Sequence, residues 1–346
     1  MKAHVYHGPG KHSWEDVADP VLSDPSDAIV RIDAVTICGT DLHILKGDVP
    51  EVTPGRVLGH EAVGTVLEVG ASVRTVSVGD RVLISCISPC GRCGFCRSAR
   101  YGQCSEGGGW ILGHLIDGTQ AEFTRVPFAD NSLYRLPDAI SNESALLLAD
   151  IIPTAYEVGV LRGRVSPGDS VAIVGAGPIG LAAILTAQLF SPSHILVVDP
   201  AASRAEAAKQ LGADVVYTSA DEARAAVGEL GDGLGVDVAI EAVGIPETFE
   251  LCTDLVRPGG HVANVGVHGR PASLALERLW AKDVTITTGL VDTHTTPRLL
   301  TMLGAGQLDP VGLITHRFGL SEFLEAWDTF ARPADTGALK VALFRN

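Results

Sequence analysis

The chain has 346 residues, enough for about two domains, and 46% of them are apolar against 19% charged, which excludes a wholly disordered protein. Lys and Arg number 26 against 41 Asp and Glu, a formal net charge of −15. That balance builds no basic surface for phosphates, so nucleic acid is excluded as a partner.

The N-terminal MKAHVYHGPGKHSW reads as a first strand and lacks an apolar segment of signal-peptide length. AIVRIDAVTI (28–37), EAVGTVLEVG (61–70) and DRVLISC (80–86) are β-branched runs separated by turn residues such as Gly79-Asp80. Residues 1 to about 150 are therefore expected to be mostly strand and loop. Within them, Cys90-x2-Cys93-x2-Cys96-x7-Cys104 places four thiolates on one loop. Such a loop suits a tetrahedral zinc ion with no open position, which holds structure and does no chemistry. An iron–sulfur loop begins similarly but usually brings its fourth cysteine sooner, followed by Pro, where this chain has Ser105. Two disulfides are disfavoured in a cytosolic enzyme. Cys86 reads as an ordinary strand cysteine.

Near Pro167 the pattern changes to strands alternating with helices: DSVAIVG, PIGLAAILTAQLF, HILVVD, AASRAEAAKQLG, DVVYT, an acidic helix around 221–230, VDVAIEAVG, TFELCTDLVRPGG and HVANVGV. This alternation means βαβ units and a mostly parallel sheet. Val171 to Phe190 carries no charge, but Gly175, Gly177, Pro178 and Gly180 interrupt it, so it reads as a buried strand and helix and not as a membrane span. No membrane association is expected, and the protein is expected to be cytoplasmic. Helices near 295–304 and 320–330 and a final strand ALKVALF complete the chain.

Gly175-Ala-Gly177-Pro178-Ile179-Gly180 follows a strand and opens a helix, the setting in which three glycines cradle a dinucleotide. The first allows the tight turn, the second lets a pyrophosphate approach the helix N-terminus, and the third lets helix and strand pack closely. Asp199 ends the next strand, where a carboxylate accepts ribose hydroxyls and repels a 2′-phosphate. NAD is therefore expected over NADP. Arg204 is the contrary signal, since a bent loop could bring it to a phosphate.

A second metal site can be assembled from distant residues. Cys38 lies just past an apolar strand, His60 beside Glu61, and Asp150 interrupts the apolar run ALLLADIIPTAYE. A carboxylate there needs either a partner or a helix end facing water. Cys, His and Asp together would hold zinc and leave a fourth position for water or an alcohol oxygen.

Cys38-Gly-Thr40-Asp-Leu-His43, Gly59-His60-Glu61, Gly79-Asp80-Arg81-Val82, the four-cysteine loop, Asp150 with Thr154, and Gly175 to Gly180 resemble the zinc-dependent medium-chain alcohol dehydrogenases over essentially the full length. The similarity is greatest to the short tetrameric bacterial secondary-alcohol enzymes. The resemblance implies an α/β fold: a GroES-like, mostly-β catalytic domain (1–153, completed by 294–346) and a Rossmann doubly wound parallel sheet domain (154–293). It implies two zinc ions per subunit, NAD(H), a small alcohol or carbonyl substrate and a homotetramer.

By the same resemblance Cys38, His60 and Asp150 hold the catalytic zinc, with Glu61 joining during ligand exchange. Thr40 bonds the substrate oxygen, and His43 finishes the proton relay. Thr154 packs on the nicotinamide, and Lys340 reaches the cofactor pyrophosphate. Val49 and Trp110, with the segments near Val267 and Val291, line an apolar substrate pocket, although Trp110 reads equally well as packing its glycine-rich loop to the core. Asp199 departs from the glycine often found in the NADP-dependent secondary-alcohol enzymes. A polyol or amino-alcohol dehydrogenase of the sorbitol or threonine type is the competing reading. An exposed sheet edge near 284–290 is the expected place for subunits to pair.

Overall fold

The computed structural model describes residues 1–229 and 233–345. They form two units, residues 1–150 with 291–346 and residues 151–290. The expected boundaries at 153 and 293 fall three residues beyond these.

In the first unit, β-branched runs pair into two sheets. Lys2–Tyr6 lies between His12–Asp16 and Arg56–Val57 in a three-stranded sheet. The larger, seven-stranded sheet centres on Ala28–Thr36, which pairs antiparallel with Ala62–Val69, Phe123–Val126 and Lys340–Phe344. Lys340–Phe344 reaches it from more than 300 positions along the chain, placing Ala342 opposite Thr36, and also pairs parallel with Ile314–Gly319. Val30, Ile32, Val35, Val66, Val82 and Ile84 of these strands form one buried cluster. The helix Phe323–Ala331 buries Phe323, Ala326, Trp327 and Phe330, the i, i+3, i+4, i+7 stripe of an amphipathic helix, against that cluster.

In the second unit all pairings are parallel, in the order Val215–Tyr217, His194–Val198, Ser170–Val174, Val236–Glu241, Val256–Asn264, Thr285–Thr288. Numbered along the chain this is 3-2-1-4-5-6, with the strand order reversing between Ser170–Val174 and Val236–Glu241. Ligands of open α/β sheets bind at such a switch point, outside the carboxyl ends of the strands. Helix Pro178–Ala187 is buried on nearly every face, as its uncharged sequence requires. The acidic helix expected around 221–230 forms over Ala220–Val227, and residue 230 lies outside the described residues. Helix Ile151–Thr154 runs on into a π-helix, Ala155–Leu161, which no sequence pattern announced. No helix among the described residues is long and apolar enough to cross a membrane.

Candidate active site and metal centres

Cys38 sits between the strand Ala28–Thr36 and the helix Gly39–Lys46, in extended conformation at the helix N-cap. The Asp41 carboxylate accepts the Cys38 backbone N–H at 2.9 Å, fixing the turn that presents the thiol. His60 follows Gly59, whose φ of +94° favours glycine. Asp150 closes the first unit's N-terminal segment. Its Oδ2 lies 3.6 Å from Cys38 Sγ and 3.4 Å from His60 Nε2. Ligand atoms of Cys38, His60, Glu61 and Asp150 all fall within 4.8 Å of one another.

This donor set fits a divalent cation electrostatically. Burial raises the Cys38 thiol above its ordinary range, and the charges of Glu61 and Asp150 add to that. Burial pushes the Glu61 carboxyl up to about 7, against the pull of Lys340. Glu61 Oε1 is buried with no hydrogen-bond partner among the described residues. For His60, burial works to lower the imidazole, but hydrogen bonds to Asp150 and Cys38 outweigh it and hold it well above the usual value. Acidic donors crowded in a low-dielectric site are what zinc neutralises, and one Cys, one His and one carboxylate leave the open position of a catalytic centre.

Two residues have partners that their sequence reading did not name. Lys340, expected on the cofactor pyrophosphate, is buried, and its Nζ donates to Glu61 Oε2 at 2.5 Å and to the Ile37 carbonyl at 3.1 Å. Its position in the last strand, next to Ala28–Thr36, brings the amine to Glu61, whose charge it offsets. Cys86, read as an ordinary strand cysteine, points its thiol at Asp150 Oδ1, 3.6 Å away.

Thr40 Oγ1 lies 3.6 Å from Cys38 Sγ. His43, on the same helix and half-buried, is bonded through Nδ1 to Asp48 Oδ2 at 2.9 Å. Val49 and Trp110 pack against one cluster of Tyr6, Ile44, Val52 and Leu58. The Trp110 ring also stands edge-on to His60, with centroids 6.3 Å apart, and stacks on His114 at 4.2 Å. Trp110 therefore packs against the core and also stands next to His60. Val291 is buried and Val267 exposed.

The loop cysteines Cys90, Cys93, Cys96 and Cys104 also bring their sulfurs within 4.8 Å of one another. Backbone N–H groups of Arg92 and Cys93 point at Cys90 Sγ, that of Cys96 at Cys93 Sγ and that of Cys90 at Cys104 Sγ, at 3.4–3.5 Å. Such donors stabilise thiolates: those from Cys96 and Ser105 bring Cys93 down to about 6. Four sulfurs this close are a donor set of the kind that suits a tetrahedral ion.

In the second unit, Gly175 has φ +100°, and a Cβ on Gly180 would fall 1.8 Å from the Gly175 carbonyl oxygen. Gly177, the N-cap of Pro178–Ala187, is different. Its φ is −71°, and a Cβ there would meet no protein atom within 4 Å. The protein's own packing does not require glycine at that point, which leaves room for a ligand against the helix N-terminus. Ile179 follows Pro178 in the first turn of that helix. Asp199, nearly buried, accepts the Ala176 and Ala201 backbone N–H groups at 2.8 Å each, so it ties the glycine turn to the end of the second strand. Arg204 Nη1 lies 3.6 Å from Asp199 Oδ2. Thr154 ends the helix Ile151–Thr154.

Metal-ligand clusters and a dinucleotide-type turn at a sheet switch point define the class of metal-dependent oxidoreductases. Comparison with known proteins narrows it. Residues 24–138 match the alcohol dehydrogenase GroES-like domain, and residues 178–304 the zinc-binding dehydrogenase domain. An alcohol dehydrogenase of Cupriavidus necator is 36% identical over 99% of this chain and 98% of its own length. Among solved structures, the apo form of zinc-dependent alcohol dehydrogenase 2 from Streptococcus pneumoniae superposes with a TM-score of 0.96 at 49% identity, covering 100% of this chain and 99% of that one. Alcohol dehydrogenase TADH from Thermus sp. ATN1 gives 0.93 at 38% identity, with full coverage of both chains (100% each). The chain belongs to the zinc-dependent medium-chain alcohol dehydrogenase family and is an oxidoreductase, with the GroES-like and Rossmann-like parts the resemblance implied.

Residues that sequence reasoning missed are Cys86, Asp41 and Gln120. Asp41 was within reach, because an acidic residue three positions after an N-cap is a capping signal. Gln120 carries no local signal.

Proposed function

We propose that the protein interconverts small to medium-sized secondary alcohols and their carbonyl partners, with NAD(H) as the hydride carrier and two zinc ions per subunit. The observation that carries this reading is the convergence of Cys38, His60, Glu61 and Asp150 within 4.8 Å, with the Trp110 ring edge-on to His60; Val49 and Trp110 would line the apolar substrate pocket. Cys38, His60 and Asp150 would hold the catalytic ion, and Cys90, Cys93, Cys96 and Cys104 the structural one. Bound there, zinc supplies Lewis acidity, which makes an alcohol proton easier to remove.

The chain's own residues handle that proton. The Thr40 hydroxyl, 3.6 Å from Cys38 Sγ, is in place to accept it, and His43, half-buried and braced by Asp48 at 2.9 Å, to exchange it with solvent. Glu61 supplies a second carboxylate beside the ligands, its charge balanced by Lys340. Gly175, Gly177, Pro178, Ile179 and Gly180 would hold the cofactor pyrophosphate, Asp199 the adenosine ribose and Thr154 the nicotinamide. Arg204, paired with Asp199, serves that carboxylate and not a 2′-phosphate. Subunits would pair as a cytoplasmic homotetramer along the exposed edge strand Thr285–Thr288.

The test is a screen of secondary, primary and polyhydroxy alcohols with NAD and NADP, on wild type and on Asp199→Gly. Secondary alcohols with NAD should give the highest kcat/KM, and Asp199→Gly should narrow the preference for NAD by about tenfold or more, a carboxylate–phosphate repulsion of about 1.4 kcal/mol. A polyol favoured over every simple alcohol would contradict the substrate reading. So would wild-type preference for NADP contradict the role of Asp199.

A further inference from the structure

The segments that carry Cys38 and His60 meet on one buried side chain. Gln120 is wholly buried. Its backbone N–H donates to the Leu58 carbonyl at 2.9 Å, and that of Thr119 to the Gly59 carbonyl at 3.0 Å. A Cβ on Gly59 would fall 2.4 Å from Gln120 Cγ, so this side chain packs directly on the residue preceding His60. On its other side, Gln120 Nε2 donates at 2.8 Å to Asp41 Oδ2, the oxygen that accepts the Cys38 backbone N–H at 2.9 Å. His4, also wholly buried, faces Gln120 Oε1 through Nδ1 at 2.8 Å, and its Nε2 lies 2.8 Å from His12 Nδ1.

The proton on each link follows from its end. A carboxylate only accepts, so the amide nitrogen must face Asp41 and the amide oxygen must face His4. His4 then carries its proton on Nδ1. Burial keeps that imidazole neutral, down to about 3, so Nε2 accepts from His12. Every donor in the row points inward, toward Asp41 and the Cys38 turn. The His4 ring is itself held, stacked on Phe323 with centroids 4.7 Å apart.

We propose that Gln120 is a positioning residue of the catalytic metal site: its amide, held in one orientation by His4, fixes the Cys38 and His60 segments against each other. This rests on the zinc reading above. Outer-shell hydrogen bonds of this kind set ligand geometry, and their loss typically costs about 10–100-fold in metal affinity or activity.

The experiment follows zinc release to a chromogenic chelator, together with kcat, the KM for NAD and thermal stability, in wild type, Gln120→Met, His4→Phe and His4→Asn. Gln120→Met should lose one of its two zinc ions about tenfold faster or more, with the other unchanged, and kcat should fall while the KM for NAD stays put. His4→Phe keeps the stacking and should shift in the same direction. His4→Asn, whose amide N–H replaces the Nδ1–H, should return close to wild type. Release and kcat within about twofold of wild type in Gln120→Met would overturn the inference, as would equal loosening of both ions. His4→Asn no better than His4→Phe would remove His4 from it. Should Gln120→Met not fold, the two His4 variants carry the test. A wild type holding fewer than two zinc ions would overturn the metal reading itself, a different failure from two ions that Gln120→Met leaves undisturbed.

Discussion

His4 shows how much a single buried residue can couple. Its folded-state proton affinity is depressed from 6.5 to about 3, chiefly by burial. The unfolded chain therefore binds a proton below about pH 6.5 that the native chain refuses until about pH 3. The stabilising contribution is complete above pH 6.5 and is lost as pH falls toward 3, by at most about 1.4 kcal/mol per pH unit. Burial lowers His12 as well, against the attraction of Asp328, so it adds to the same acid slope. Urea unfolding at pH 7.5 and pH 5 should show a smaller acid loss for His4→Phe than for wild type. Equal losses would mean that His4 is not buried as described. At this scale the sequence is legible where ligands are neighbours or where chemistry forbids a bland role. The four loop cysteines announce themselves by spacing, and Asp150 by interrupting an apolar run. The partnership of His4 with Gln120 spans 116 positions and rests on no motif. The pairing of Lys340 with Glu61 was not legible, because a basic residue in a terminal strand gives no sign of which buried carboxylate it meets. Cys86 was missed for the same reason, since nothing local says that its thiol faces Asp150.

At the scale of elements, the glycine turn separates what the fold needs from what a ligand needs. A Cβ on Gly180 would meet the Gly175 carbonyl oxygen at 1.8 Å, and backbone cannot give way cheaply. Gly180→Ala should cost about 1–3 kcal/mol of stability, as overpacking does. Gly177 has ordinary φ and open space, so Gly177→Ala should leave stability within about 1 kcal/mol of wild type while weakening NAD binding. Chemical denaturation and titration of NAD by fluorescence measure the two effects separately. Unchanged NAD affinity in Gly177→Ala would contradict a pyrophosphate at that turn. The parallel sheet itself was readable, because strands alternating with helices leave few topologies once crossovers are right-handed. The mostly antiparallel unit was less so: the pairing of Lys340–Phe344 with Ala28–Thr36 joins segments more than 300 positions apart, which no local pattern encodes.

For the whole molecule, the candidate metal ligands Cys38, His60, Asp150 and the four loop cysteines lie in one unit and the glycine-rich turn in the other. The first unit holds two clusters of opposite design. One has four cysteines, which would leave a bound ion no open position, while the other has mixed side chains and a Glu61 oxygen unpartnered among the described residues. These clusters would bind two zinc ions, with Asp150 belonging to only one of them. Elemental analysis of metal per subunit, on wild type and Asp150→Ala purified without chelator, tests this most directly. Two zinc ions are expected in wild type and one in the variant, with loss of alcohol oxidation and the fold retained. One ion in both proteins would contradict it.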